Sequence, residues 1–154
     1  MYLKKTTDME NNIHYRLLSI KDGVYTDNSG TEDTAELSAQ NLGFQYRLTT
    51  NLNMRDNTIT VSPQIRYVFR DRELLEAGVA YCFGISDLNA IANIDSEGKK
   101  VRLDTVFIST LVGIAFSGLR GVVYEKTKGG PLEAYPVPVV TMDALLKNNA
   151  VRIV

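Results

Sequence analysis

A chain of 154 residues has the size of one domain, spanning 1–154, and can bury about 68–70% of its unfolded surface without a metal or disulfide staple. Its 17 basic and 18 acidic side chains give a net charge of −1, which leaves no basic excess for nucleic acid or an anionic membrane. The single cysteine, Cys82, excludes an intrachain disulfide and suits a reducing, cytoplasmic setting. Residues Met1–Asn12 are polar, lack the apolar run of a signal peptide, and are expected to fray.

The first strand is expected over Ile13–Thr26 (IHYRLLSIKDGVYT), with a bend or bulge at Lys21-Asp22-Gly23. Asp27–Asp33 has no apolar residue and reads as a loop. A second strand over Leu42–Asn53 sets Leu42, Phe44, Tyr46, Leu48, Thr50 and Leu52 on one face. A turn at Arg55-Asp56-Asn57 leads to a third strand, Thr58–Phe69, where Ile59, Val61, Ile65, Tyr67 and Phe69 alternate with polar residues. Pro63 lies inside it and predicts an edge, bulge or kink. After Arg70-Asp71-Arg72, a fourth strand, Glu73–Ile85, puts Leu75, Ala77, Val79, Tyr81, Phe83 and Ile85 on one face. Period-two patterning joined by short polar turns predicts an antiparallel meander with one apolar face.

Asp87–Lys100 reads as a connector with a helical turn at Leu88–Ala92. The helix that follows is expected from Leu103 to Lys126, and Val106–Phe116 carries no charge at all. That uncharged run is about half a membrane span, so it is expected to be a core or interface helix rather than an inserted one. A helix apolar all round is buried on more than one side, and one small sheet covers only one. A second copy of the chain is the expected cover. Gly129–Val140 holds two glycines and three prolines and predicts an extended arm. Thr141 is a good N-cap for a last helix over Met142–Asn149, and Ala150–Val154 gives no signal. The expected fold class is α+β: a four-stranded antiparallel sheet, one long helix, an extended arm and a short final helix.

Residues able to do covalent chemistry do not converge. His14 is the only histidine, and Cys82 would have only His14 as a base, so both read as structural. Glu73 and Glu76 are three apart in a strand and should face opposite sides. Gly118, Gly121, Gly129 and Gly130 follow or interrupt a helix, whereas a phosphate loop precedes one. No catalytic set, metal site or cofactor is therefore expected. Arg120, the first charge after the uncharged run, is either a solvated arginine or a partner-facing or carbonyl-capping one that fixes the arm. Tyr124, Leu132, Tyr135, Val137, Val139 and Val140 either pin the arm to the domain or wall a groove beside it.

Ser117-Gly118-Leu119-Arg120-Gly121, then Pro131-Leu132, then Pro138-Val139-Val140-Thr141-Met142-Asp143-Ala144-Leu145-Leu146 resembles the C-terminal motif of the SecB family of export chaperones. Ile13–Asp22, with Arg16, Lys21 and Asp22, is similar to that family's first strand, and the resemblance covers about residues 13 to 149. It implies an ATP-independent holdase for unfolded polypeptides, acting in the cytoplasm. It also implies a homotetramer in which sheets join edge to edge and long helices pack together. The implied helix interface is Val106, Phe107, Thr110, Leu111 and Ile114. The implied client contacts are Val24, Tyr25, Phe44, Leu48, Leu132, Tyr135 and Val137. Export members dock a translocation motor through an acidic tail, whereas this chain ends on Arg152-Ile153-Val154. SecB-like chaperones of toxin–antitoxin systems hold an antitoxin instead, so motor and antitoxin both stand as partners. Beside the holdase stand an assembly subunit that binds no client and, with least support, a metabolic enzyme.

Overall fold

The computed structural model describes residues 13–31, 34–95 and 101–154. The expected fraying of 1–12, and parts of the loop at 27–33 and the connector at 87–100, lie outside them. Among the described residues, seven strands and two α-helices follow in order: β1 (Tyr15–Asp27), β2 (Gly43–Asn53), β3 (Thr58–Phe69), β4 (Arg72–Ile85), β5 (Ala92–Ile94), β6 (Val101–Leu103), α1 (Thr105–Thr127), α2 (Met142–Lys147) and β7 (Asn149–Ile153).

The four expected strands form, and they pair antiparallel. The sheet nonetheless has five strands, in the order β1-β4-β3-β2-β7, because β7 adds to β2 in parallel. Strand β7 thus makes the sheet mixed, using residues without a strand signal of their own. Asn149, expected as helix, begins that strand; β5, inside the expected connector, pairs with β6, just past its end, as a small separate ribbon, and Leu103, the expected first helical residue, ends β6. The helical turn after β4 is a single 3₁₀ turn at Leu88–Ala90.

Strand β3 alternates half-buried and buried residues from end to end. Pro63 sits in this interior strand, not at an edge, and no bulge marks it. The β3–β4 pairing omits Ser62 and Pro63 yet resumes in the same register, which accommodates a residue with no N–H to give. Arg70 and Asp71 make the two-residue hairpin turn with φ of 52° and 59°, the left-handed pair that matches strand twist. Arg70 is held there by an ion pair with Glu36 and lies 4.8 Å from the Phe69 ring centre.

Helix α1 begins at Thr105, two residues later than its apolar run suggested. Asp104 caps it, the Oδ1 accepting from the Phe107 N–H at 3.0 Å. Ile108, Leu111, Val112, Ala115, Phe116, Leu119 and Val123 recur at helical spacing and pack on β3 and β4. By length and composition α1 could cross a membrane, with a mean hydropathy of 1.8. Its buried face accounts for much of that character. Gly118 lies directly against the Tyr81 ring, so a Cβ there would collide with the phenol. Gly118→Ala is therefore expected to cost about 1–3 kcal/mol, read as a lower urea midpoint. Gly121, by contrast, faces open space. Gly129, at φ 79°, turns the chain out of the helix.

Candidate functional site

The arm is laid down on the sheet. Tyr67 Oη donates to the Tyr135 carbonyl at 2.7 Å, and Tyr135 Oη donates to the Leu37 carbonyl at 3.0 Å. Arg120 donates from Nε to the Val137 carbonyl at 3.1 Å and from Nη2 to the Pro138 carbonyl at 3.2 Å. Its guanidinium also lies 5.2 Å from the Phe116 ring centre. Of the roles open to Arg120, the carbonyl-capping one is realised.

Three of the expected client contacts are buried in the single chain: Leu48 of β2 at 1% exposure, and Leu132 and Val137 at 1% and 3%, the latter two because the arm packs them into the core instead of standing off as a groove wall. Phe44 and Tyr135 stay half-buried; Phe44 meets Tyr67 edge-on at 4.7 Å. Val24 and Tyr25, near the end of β1, are half-buried as well, with Lys126 Nζ 4.5 Å from the Tyr25 ring centre. Burial, followed by the charge of Asp27, raises the Tyr25 pKa.

Burial, with a smaller contribution from Tyr46, raises the Tyr67 pKa far above its ordinary 10.0. A folded-state pKa above the unfolded one stabilises fully below pH 10 and is lost as pH rises beyond it. Stability should therefore fall as pH rises above about 10, and Tyr67→Phe should flatten that fall. At neutral pH the same change should cost about 1 kcal/mol, through the hydrogen bond lost to Tyr135. Urea midpoints from neutral pH upward check both expectations.

The helix interface residues divide too. Leu111 is 0% exposed and belongs to the core of its own chain, a correction to its expected place between copies. Phe107 is half-buried, Thr110 is exposed, and Val106 and Ile114 are 63% and 38% exposed. Ser117, Gly121 and Tyr124 continue this outward stripe.

An uncovered apolar strip on β1 was not expected from the sequence. Tyr15, Leu17 and Ile20 pair with Ile85, Phe83 and Tyr81, which puts them on the helix side of the sheet. Helix α1 packs on β3 and β4, leaving these three at 42%, 45% and 55% exposure. The Tyr15 and Phe107 rings meet edge-on at 5.4 Å and join this strip to the flank of α1. Leu18 is the extra residue of a bulge and turns to the other face, over Gly84. Among the described residues no strand pairs with the outer edge of β1.

Polar side chains elsewhere form structural pairs. Glu73 and Glu76 both reach Arg66, at 2.7 and 3.7 Å, so the expectation that they face apart is wrong. A register shift beside Leu74 inserts a residue between them and turns both carboxylates to one side. The His14 N–H donates to Ser86 Oγ at 2.9 Å, and Cys82 is half-buried. Among the described residues no three His, Cys, Asp or Glu side chains cluster as metal ligands.

No protein-family profile matches the chain, and no curated protein matches it. Among solved structures it is similar to the Mycobacterium tuberculosis SecB-like chaperone Rv1957 in complex with a ChAD peptide from the Rv1956 HigA1 antitoxin. The match covers 87% of this chain and 90% of that one, at 14% identity and a TM-score of 0.46. At that level nothing of that protein's activity transfers to this chain.

Proposed function

We propose that the chain is a SecB-like holdase, which binds non-native polypeptides on apolar surface without nucleotide and works as an oligomer. The observation that carries this reading is the strip Tyr15, Leu17 and Ile20 on an unpaired edge strand, continuous through Phe107 with the outward stripe of α1. An edge strand left long and apolar is a template for another chain, and an isolated soluble monomer seldom keeps one. The motif around Arg120 supports the same reading, since that arginine fixes the arm which the resemblance assigns to this family.

In this proposal the β1 edge and the α1 stripe join copies into a dimer of dimers in the cytoplasm. Val24, Tyr25, Phe44 and Tyr135 remain the client contacts at the margins of the sheet. No bond is made or broken, and affinity follows buried apolar area at about 25 cal/mol per Å². Clients are exported precursors or an aggregation-prone antitoxin. The purified protein should suppress aggregation of a heat-unfolded client enzyme without ATP, measured by light scattering. Failure at several-fold excess over two unrelated clients overturns the holdase and leaves an assembly subunit, for which the same apolar edge would serve self-association alone.

A further inference from the structure

Strand β7 is held to the sheet by little besides its backbone. It pairs in parallel, Asn149 against Leu48 through Ile153 against Leu52, and the Val154 N–H donates to the Leu52 carbonyl at 2.8 Å. That register puts Asn149, Val151 and Ile153 on the helix side. Of these, Val151 packs on the core, Ile153 is 38% exposed, and Asn149 Oδ1 accepts a hydrogen bond from Thr50 Oγ1 at 2.8 Å. Ala150 and Arg152, on the other face, are exposed.

The strand beneath is the opposite. Leu48, Thr50 and Leu52 are 1%, 0% and 0% exposed. The buried floor and the bonding edge belong to β2, while β7 adds its backbone, Val151, an outlying Ile153 and the Asn149 hydrogen bond. Asn and Ala are poor strand formers, and parallel pairing is slightly weaker per residue than antiparallel. The segment also hangs from Asn148, just past the six-residue helix α2 whose buried anchor is Leu145.

We infer that β7 is an internal stand-in for client: an extended client segment, apolar at alternate positions, takes its place parallel to β2 when β7 swings out at Asn148. This rests on the holdase reading and gives it a gate. Strand addition suits a binder of many sequences, because main-chain hydrogen bonds carry the affinity and alternate side chains only need to be apolar. An apolar residue at the place of Asn149 would set hydrocarbon beside Leu48 where an amide now lies.

The test is amide hydrogen exchange on the full chain with and without reduced, carboxymethylated α-lactalbumin, an unfolded probe whose binding is followed by anisotropy. Bound probe should speed exchange at 149–154 by about 10-fold or more while 48–52 stays protected. Bound probe with 149–154 still protected overturns the gate and spares the holdase. Absence of binding overturns the holdase, and the gate with it. Arg152 turns its N–H to the same side as Val154, so Arg152→Pro should loosen β7 and tighten probe binding by about 5–10-fold. Unchanged or weaker binding by that variant, including a case where β7 merely exchanges between copies, overturns the gate as well.

Discussion

Leu111→Ala is expected to lower stability by about 3–5 kcal/mol, the largest single effect in the chain. Leu111 is 0% exposed between α1 and the sheet, so truncation leaves a cavity that close-packed neighbours fill only in part. Ile114, three residues on and 38% exposed, lies on the outward stripe. Ile114→Asp should cost the fold under about 1 kcal/mol and instead lower the mass in solution, because a carboxylate would be buried wherever two helices meet. Chemical denaturation and light scattering of both variants check the pair. A loss of mass in Leu111→Ala at full stability would return that residue to an interface.

Arg120→Ala is expected to free the arm. It removes two charge-assisted hydrogen bonds to the Val137 and Pro138 carbonyls, together with the contact to Phe116. The expected cost is about 2–4 kcal/mol. Arg120→Lys should recover little of it, since an ammonium cannot serve both carbonyls in the geometry of a planar fork. The distinguishing readout is local: the amides of Tyr135, Val137, Val139 and Val140 should exchange faster in the variant than those of β3. Equal protection of the arm in variant and parent would mean that Leu132 and Val137 hold it without the arginine.

Where side-chain period and burial agree, the sequence was readable. The alternation in β2, β3 and β4 is that of a sheet with one covered face, and the capping residue Thr141 starts α2 as its chemistry suggests, accepting from the Ala144 N–H at 3.2 Å. Bulges were opaque. The extra residue at Leu18 breaks the period of β1, so Tyr15, Leu17 and Ile20 do not read as one face. The shift beside Leu74 likewise reunites Glu73 and Glu76 against naive counting. Strand β7 was invisible because Asn149, Ala150 and Arg152 have no strand character and the pairing comes from β2. On the long helix the uncharged run extends over a face that its own sheet leaves uncovered, where Val106, Thr110, Ile114 and Ser117 stay exposed.

The two irregularities of β1 also bear on how copies can line up. The extra residues at Leu18 and at Gly23-Val24 cut the edge into the straight pieces 15–17, 19–22 and 25–27. A neighbouring chain can follow any one piece, but the kinks spoil a long continuous ladder. The border of the sheet can thus be sticky enough to join two molecules while resisting the endless side-by-side growth of a fibril.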